Sequence, residues 1–324
     1  MLVTGGLGFI GRNLVARLLE EGAKVTVVER DFAEVSPDAL KTIQKDYDLE
    51  LVEADIADRK LVDSYIKNKD FLFHLAGHSG PVGSLDEPFA DLEANCVGSL
   101  NLLDACRRLN PDIKIIYPSS SLVYGYLEQL PVPETHRILP LTIYGSHKFA
   151  VETYFNVYHQ VYGIKSVIFR ASNPYGPHIP QVSHKYNILN WFIDEASRGN
   201  DLVIFGDGKQ KRDYFYVGDM VEAFLKAAIT PAAYGEVFNL GYGRGTRLID
   251  AARTTTKAVG KGKVVCKPWP NDYKAVETGD YVSDISKAKK ILGWEPTVTL
   301  TAGVKKMVSQ TTVLGSALSK LLQL

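Results

Sequence analysis

A glycine-rich turn near the start of the 324-residue chain constrains its fold more than any other feature. A short apolar segment runs directly into four glycines, in the sequence Thr4-Gly-Gly-Leu-Gly-Phe-Ile-Gly11. Gly6, Gly8 and Gly11 satisfy the pattern G-x-G-x-x-G, which permits a tight turn and lets backbone N–H groups approach a pyrophosphate at a helix N-terminus. The pattern is weak alone, but here a strand precedes it and a helix with an apolar stripe follows it. The turn therefore predicts a dinucleotide-binding βαβ unit.

An acidic residue, Glu29, stands at the end of the second predicted strand. A carboxylate at this place accepts hydrogen bonds from the adenosine ribose hydroxyls and repels a 2′-phosphate. Glu29 therefore favours NAD as the cofactor. NADP stays open as an alternative, because Arg12 and Arg30 bring positive charge close to the acid in sequence.

Strand-like and helix-like segments alternate through the first half of the chain. Such alternation builds a parallel sheet with helices on both faces, whose ligand crevice lies at the carboxyl ends of the strands. The fold class predicted is therefore α/β, a Rossmann-type doubly wound parallel sheet. The predicted strands are Leu2–Val3, Val25–Val28, Leu49–Val52, Phe71–Phe73, Ile113–Tyr117 and Ser166–Phe169, and the predicted helices span 12–21, 61–67, 90–109 and 144–162.

The alternation breaks down after about residue 172 into turn-rich segments with a helical stretch at 188–198. We interpret this region as a smaller, irregular α+β substrate lobe. Val237–Leu240 resembles one more strand of the main sheet, so the two parts interleave in sequence. The NAD-binding domain is predicted at 1–172 plus about 213–241, and the substrate lobe at 173–212 and 242–324.

Composition narrows the class of protein. The chain has 37 basic and 37 acidic residues, so no net charge draws it to nucleic acid or to an anionic membrane. It has no apolar run long enough to span a bilayer and no cleavable leader, so a cytoplasmic protein is expected. Cys96, Cys106 and Cys266 lack paired spacing and are interpreted as plain buried thiols. The first strand is short, and the true N-terminus is therefore left open.

A tyrosine and a lysine four residues apart form a candidate proton-transfer pair in Tyr144-Gly-Ser-His-Lys148. This spacing places both on one face of a helix, where the ammonium is expected to lower the pKa of the phenol. The same spacing at Tyr65 and Lys69 is interpreted as a solvated helix face. What distinguishes Tyr144 is the serine run 119–121 at the end of a predicted strand, because a serine hydroxyl there can hold the reacting oxygen.

Histidines are interpreted as structural, and no metal site is predicted. His74, His78 and His178 have no neighbouring residues that complete a ligand set. His147, between the tyrosine and the lysine, is expected to point away from the face that carries them.

Taken together, these motifs resemble the extended short-chain dehydrogenase/reductase family, and within it the NAD-dependent sugar-nucleotide epimerases and dehydratases, most of all the UDP-sugar 4-epimerases. The likeness covers nearly the whole chain. The matching segments are Thr4–Gly11, Ala54–Ile56, His74–Gly77, Asn95–Ala105, Ser119–Gly125, Tyr144–Lys148, Arg170–Pro177, Gly206–Asp213 and Ile291–Pro296.

The resemblance implies a role for each matching residue. Ser120 polarises the substrate hydroxyl, Tyr144 is the base, and Lys148 is its partner and also holds the nicotinamide ribose. The implied cofactor-binding residues are Gly5, Gly8, Phe9, Ile10, Gly11, Glu29, Arg30, Asp55, Ile56, Leu75, Ala76, Gly77, Asn95, Tyr144 and Lys148. The implied substrate-binding residues are Ser84, Ser120, Ser121, Asn173 and Arg212, of which the last pairs with the nucleotide diphosphate. A homodimer is also implied, packed through helices at about 95–109 and 144–161.

Departures from the family pattern decide the reaction. Dehydratases and decarboxylases that resemble this family carry a glutamate where this chain has Leu122, and leucine cannot transfer a proton. A nucleotide-sugar 4-epimerase is therefore the first hypothesis, acting on a UDP-hexose or UDP-uronate type of substrate. A 4-ketoreductase or an unusual dehydratase is the alternative. A non-enzymatic dinucleotide sensor is disfavoured because it needs no proton-transfer chain.

Glu277 stands where relatives carry an arginine that grips the diphosphate. An acid there repels phosphate unless Arg212, Lys267 or Lys274 compensates for it. Trp269 is interpreted as a packing residue, with stacking on a nucleotide base as the alternative. The sugar and the base of the nucleotide stay open.

Overall fold

In the described part of the chain, seven parallel strands form the central sheet, so the predicted fold class is confirmed. The computed structural model describes residues 1–32, 37–78, 80–178, 187–270, 274 and 277–310. In chain order the strands are β1 (Leu2–Thr4), β2 (Val25–Glu29), β3 (Leu49–Glu53), β4 (Phe71–His74), β5 (Lys114–Ser120), β6 (Lys165–Ala171), β7 (Asn173–Tyr175), β8 (Leu202–Phe205), β9 (Lys211–Arg212), β10 (Tyr214–Tyr216), β11 (Val237–Leu240), β12 (Thr246–Arg247) and β13 (Val264–Lys267).

The helices lie between these strands. They are α1 (Phe9–Glu20), α2 (Pro37–Asp46), α3 (Arg59–Tyr65), α4 (Gly83–Asp86), α5 (Pro88–Leu92), α6 (Gly98–Leu109), α7 (Ile143–Tyr162), α8 (Ile188–Ser197), α9 (Val217–Ala228), α10 (Leu248–Val259), α11 (Ser286–Leu292) and α12 (Leu300–Gln310). None of the helices formed by the described residues is long and apolar enough to cross a membrane.

The strand order places the ligand crevice. Across the sheet the strands run β11, β6, β5, β4, β1, β2, β3. The chain therefore builds outward from β1 in one direction and then from β4 in the other, so the order reverses between β1 and β4. Ligands of open α/β sheets bind at such a switch point, beyond the carboxyl ends of the strands.

Alternation of side chains along each strand explains why both faces carry helices. Val3 and Phe73 point to one face, in a core that also contains apolar residues of α1 and α9. Leu2 and Leu72, their neighbours along the chain, point to the other face and pack with residues of α3, α6 and α7. The strands thus read as continuous apolar runs because both of their faces are buried.

A second core belongs to the irregular part of the chain. Residues of α8, α10 and α12 pack there with Tyr214 and Tyr216 of β10, and three two-stranded ladders complete this part. The predicted strand at Val237–Leu240 is the edge strand of the main sheet, next to β6. The domain boundaries themselves stay a prediction.

Two sequence interpretations are wrong. Tyr65 is 6% exposed and packs in the core, and α3 ends at this residue, so Tyr65 and Lys69 do not share a solvated helix face. The Lys69 ammonium instead donates to the Thr26 hydroxyl at 2.7 Å. Cys266 is exposed, whereas Cys96 and Cys106 are buried as expected.

The continuous helix expected at 90–109 is divided. A π-helical turn, Glu93–Val97, separates α5 from α6. Such turns are rare and are frequent at functional sites. This one carries Asn95 and Cys96, which are both buried beside the crevice.

Candidate active site

The glycine turn is held against the next strand of the crevice. Gly5 has a φ of +70°, and a Cβ added there would lie 2.6 Å from the Ala76 nitrogen, in the loop after β4. A Cβ at Gly11 would overlap the carbonyl oxygen of Gly5. Both positions therefore require glycine. At Gly8, which precedes α1 without a side-chain cap, the helix N-terminus keeps its backbone donors for an anion.

Glu29 lies beside this turn, as its position at the end of β2 predicts. Its carboxylate accepts a hydrogen bond from the Leu7 N–H at 2.8 Å. Burial is the main cause that raises the pKa of Glu29 above its ordinary value, and this hydrogen bond opposes it. Arg12 is buried under the turn and donates to the Leu7 carbonyl at 2.7 Å, whereas Arg30 is exposed.

The remaining predicted cofactor residues line the same edge. The Leu75 N–H donates to the Thr4 carbonyl at 3.0 Å, and this bond joins the ends of β1 and β4. Asn95 lies against Gly77, and its buried Oδ1 has no hydrogen-bond partner among the described residues. An orphaned acceptor and a glycine cradle in one crevice fit a dinucleotide that supplies donors.

Asp55 and Ile56 follow β3. The Asp55 carboxylate accepts from the Ala57 N–H at 2.8 Å, and Ile56 packs against Gly98 at the start of α6. The neighbouring Ala54 N–H donates to the Glu29 carbonyl at 2.8 Å. This segment therefore continues the wall that Glu29 begins.

Ser120, Tyr144 and Lys148 are brought together as predicted. Ser120 is the last residue of β5, and its hydroxyl accepts from the Leu122 N–H at 3.2 Å. A hydrogen bond also joins the Ser120 and Tyr144 hydroxyls. Tyr144 and Lys148 lie on the first turns of α7, with Nζ of the lysine 5.8 Å from the phenol ring centroid.

The expected fall in the pKa of Tyr144 is wrong for this structure. Burial raises the pKa of the phenol above its ordinary value, the charge of Asp91 adds to the rise, and only the Ser120 hydrogen bond opposes it. The physical reason is the direction of Lys148, whose ammonium donates to the Pro118 carbonyl at 3.1 Å and lies 4.7 Å from the Tyr117 ring centroid. Burial also lowers the pKa of Lys148 to about 8.

Ser84 supports the start of α7. Its fully buried hydroxyl donates to the Pro81 carbonyl at 2.9 Å and accepts from the Tyr144 N–H at 3.1 Å. Both contacts hold the backbone of Tyr144 in place. The role of Ser84 in binding substrate stays a prediction.

The other predicted substrate residues lie in separate segments of the chain. Ser121 begins a 3₁₀ turn after Ser120, and Asn173 begins β7 beyond the end of β6. Arg212 on β9 forms an ion pair with Glu277 and donates to the Gly279 carbonyl at 2.6 Å. Arg212 is thus the residue that compensates for the acid at 277. The half-buried Trp269 packs beside Phe205, with ring centroids 6.0 Å apart.

The three histidines considered as metal ligands, His74, His78 and His178, lie in different surroundings. His74 bonds to hydroxyls at both ring nitrogens, to Thr4 at 2.9 Å and to Ser99 at 2.8 Å, as a structural histidine does. His178 has a φ of +65°. Its pKa is lowered, mainly by burial. Nδ1 of His78 is buried without a hydrogen-bond partner among the described residues.

Two buried carboxylates near Lys148 were not singled out in the sequence. Glu152, one turn beyond Lys148, pairs with Arg170 at 2.7 Å and accepts from the Ser119 hydroxyl at 2.5 Å. Asp91 on α5 pairs with His147 at 2.6 Å. The i, i+4 spacing of Lys148 and Glu152 is a signal for the first, but no local pattern points to Asp91 because its partners are far along the chain.

Comparison with known proteins finds relatives that match nearly the whole chain. A UDP-glucose 4-epimerase of Mycolicibacterium smegmatis is 33% identical over 313 residues, which are 95% of this chain and 96% of that protein. The crystal structure of a UDP-glucose 4-epimerase from Thermotoga maritima, with UDP-glucose, has a TM-score of 0.86 at 32% identity and covers 96% of this chain and 98% of that one.

A third relative has been solved with a uronate ligand. It is the UDP-glucuronic acid 4-epimerase of Bacillus cereus, in complex with a fluorinated UDP-glucuronic acid and NAD, with a TM-score of 0.83 at 26% identity over 99% of both chains. The family profile described as NAD dependent epimerase/dehydratase matches residues 1–241. The chain therefore belongs to the NAD dependent epimerase/dehydratase family.

Proposed function

We propose that the protein is an NAD-dependent 4-epimerase of a nucleotide-diphosphate sugar, of the UDP-hexose or UDP-uronate type. The observation that carries the proposal is the meeting of Ser120, Tyr144 and Lys148 at the same sheet edge as the glycine cradle. The relatives named UDP-glucose 4-epimerase and UDP-glucuronic acid 4-epimerase support this substrate class.

The chain's own residues supply binding and proton transfer. Ser120 holds the C4 hydroxyl of the sugar, and Tyr144 takes its proton and returns it after the 4-keto sugar has turned in the crevice. Lys148 does not lower the pKa of Tyr144 before turnover, but its ammonium, 5.8 Å from the phenol ring centroid, is placed to attract the phenolate once the proton has left. When bound, NAD supplies a ring carbon that accepts a hydride and gives it back, so no external reductant is needed.

The alternative proposal is a 4-ketoreductase or an unusual dehydratase on the same fold, a class that the family name includes. Leu122 argues against a dehydratase, because its side chain has no ionisable proton and its backbone N–H is the group that donates to the Ser120 hydroxyl. A reductase stays the stronger competitor.

Nucleotide-sugar turnover tests the proposal. Protein purified without added cofactor is incubated with UDP-glucose, UDP-galactose, UDP-glucuronate and UDP-galacturonate, and each C4 isomer is followed by proton NMR. We expect interconversion of at least one pair, and a fall of about 1,000-fold in kcat for Tyr144→Phe. Tyr126→Phe is the matched control, because this tyrosine is 59% exposed.

Two other outcomes discriminate the competitors. In a separate assay with a UDP-4-keto-hexose and added NADH, consumption of one NADH per sugar identifies a reductase. In the first assay, a product lighter by one water identifies a dehydratase. Full turnover in Tyr144→Phe contradicts the assigned site itself.

A homodimer in the cytoplasm completes the proposal. Apolar side chains are exposed on α6 and α7 and on the turn before α6, the helices that the sequence assigns to the contact. They are Val97, Leu100, Phe149, Val157, Val161 and Tyr162. Burying such a patch against a second copy removes apolar surface from water. The unpaired cysteines suit a reducing compartment.

A further inference from the structure

A buried carboxylate lies between two histidines next to the proton-transfer pair. Asp91 is 0% exposed. Its Oδ1 lies 2.6 Å from Nδ1 of His147, and its Oδ2 lies 3.5 Å from Nδ1 of His78. His147 directly precedes Lys148 and follows Tyr144 by three residues, so the contact ties α5 to α7 at the reacting groups.

The charge of this carboxylate is incompletely satisfied. An ionised carboxylate only accepts hydrogen bonds, so Nδ1 of His147 carries the proton and donates it. Oδ2 of Asp91 has no hydrogen-bond donor among the described residues. A buried carboxylate with one oxygen lacking a donor destabilises the folded protein unless a nearby cation balances its charge.

Lys148, the residue after His147 on α7, is a nearby cation whose pKa the charge of Asp91 raises. The titratable groups that face Asp91 are His147, Lys148 and Tyr144 of α7, Cys96 of the π-helical turn, Tyr117 of β5 and His78 after β4. Glu152 also acts on Lys148. However, its carboxylate already binds the buried Arg170 through both oxygens and accepts from the Ser119 hydroxyl. The charge of Asp91 is therefore the one left to balance the ammonium.

We propose that Asp91 is a positioning residue, whose carboxylate is held by His147 and keeps Lys148 charged beside Tyr144. It thereby sets the pH range over which the pair transfers protons. The role of the pair in turnover rests on the proposed function, whereas the charge state of Lys148 can be measured without any substrate.

A positioning role and a purely structural role of Asp91 predict different results. Burial lowers the pKa of Lys148 to about 8, and Asp91 is the first of the groups that oppose this fall. Asp91 also raises the pKa of Tyr144. Removing its charge should therefore lower both values together, by about one unit for a close charge. A loss of packing alone would lower activity without moving either value.

The direct test is an NMR titration of the lysine. Protein labelled with [ε-¹³C]lysine is titrated between about pH 6 and 11, a range set by the ordinary lysine pKa, and the Lys148 signal is assigned by its loss in Lys148→Met. We expect a midpoint near pH 8 in the wild type. We expect it about one unit lower in Asp91→Asn, and restored toward the wild-type value in Asp91→Glu.

Glu93→Gln is the matched control. It removes one carboxylate two residues away, from an exposed side chain, and should leave the midpoint unchanged because solvent screens that charge. If Asp91→Asn does not fold, Asp91→Ser carries the same expectation. A midpoint within about 0.3 unit of the wild type, small against the shift of a close charge, overturns the proposal.

The second test uses the pH dependence of turnover. With whichever UDP-sugar the wild type converts, both limbs of the kcat/KM profile should move to lower pH in Asp91→Asn, by about one unit. A profile that falls in height with both limbs in place overturns the proposal. Failure of every UDP-sugar in the wild type contradicts the proposed function instead, and the lysine titration then decides on Asp91.

Discussion

The cofactor edge and the substrate-side pair of this protein are built in different ways. The cofactor edge comprises residues 4–11, Glu29 and residues 74–77, and its shape is set by backbone atoms in close approach. The substrate-side pair is Arg212 with Glu277, which are each about one-fifth exposed and joined through side chains alone. The first arrangement offers backbone N–H groups, which only a substitution by proline removes, whereas the second consists of two exchangeable side-chain charges.

This contrast predicts where the chain tolerates substitution. A change of side chain at the cofactor edge meets backbone within van der Waals distance, so few residues are tolerated there. Glu277 pairs with the Arg212 side chain and accepts from the Gly279 N–H, so a substitution there changes charge more than strand packing. We therefore expect substitutions at 277 to alter substrate binding more than cofactor binding.

Gly5→Ala is expected to have the largest effect. The new Cβ meets the Ala76 nitrogen and the residue keeps a positive φ, which together cost about 3 kcal/mol from overpacking and backbone strain. We expect NAD affinity to fall by more than about 100-fold. Isothermal titration of NAD, together with chemical denaturation, measures both effects.

Gly22→Ala is the control for that variant. Gly22 has a φ of +76° and no atom within 4 Å of its added Cβ, so it shares the backbone strain without the close approach. We expect a loss of stability of about 1 kcal/mol and unchanged NAD affinity. Equal losses of NAD affinity in the two variants would contradict the role of backbone approach.

The next largest expected effect is on the pH dependence of stability, to which His74 and Asp213 contribute with opposite sign. Burial lowers the pKa of His74, at the cofactor edge, to about 3 and raises that of Asp213, on the substrate side, to about 6. As pH falls below the ordinary value of 6.5, the unfolded chain takes up a proton at His74 that the folded protein excludes, so stability is lost. As pH rises above 3.8, the unfolded chain releases the Asp213 proton first, so stability is again lost.

The variants His74→Asn and Asp213→Asn separate these contributions. In the wild type, His74 should raise the free energy of unfolding by about 2 kcal/mol as pH rises from about 5 to 6.5, and we expect His74→Asn to abolish this rise. Asp213 should lower the free energy of unfolding by a similar amount as pH rises from about 4 to 6, and we expect Asp213→Asn to abolish this fall. Urea denaturation across this range measures both. Asp112→Asn, at a side chain 90% exposed, is the control, and parallel curves for all three variants would contradict the contrast.

Glu277→Gln should produce the smallest effect and the opposite sign. Removing the acid releases Arg212 from its ion pair, so a diphosphate no longer competes with a carboxylate. We expect UDP to bind about 10-fold more tightly, a gain of about 1.4 kcal/mol, by isothermal titration.

Glu295→Gln is the matched control for Glu277→Gln. Glu295 also pairs with a base, Lys289, but 60% of its side chain is exposed, so UDP affinity should stay as in the wild type. Unchanged affinity in Glu277→Gln would show that Arg212 does not meet the diphosphate.

Local patterns were enough to predict the cofactor edge. Gly11 and Glu29 lie in one βαβ unit, where each constraint comes from residues in that unit, although the close approach of Gly5 to Ala76 also needs the loop after β4. The same holds for Tyr144 and Lys148, which share the first turns of one helix. The failures had a common cause. The pKa of Tyr144, the burial of Tyr65 and the pairing of Asp91 all depend on elements far apart in sequence.

The amino-acid sequence by itself determined the parallel sheet, the glycine turn and the residue types of the site, because these follow from short-range periodicity and steric demand. Only the tertiary structure decided which charges are buried together. Asp91 pairs with His147 and acts on Lys148 through its charge, Glu152 pairs with Arg170, and Glu277 pairs with Arg212, because packing brings distant segments together. Electrostatic energies depend on burial and on distance through space, and neither can be read from spacing along the chain.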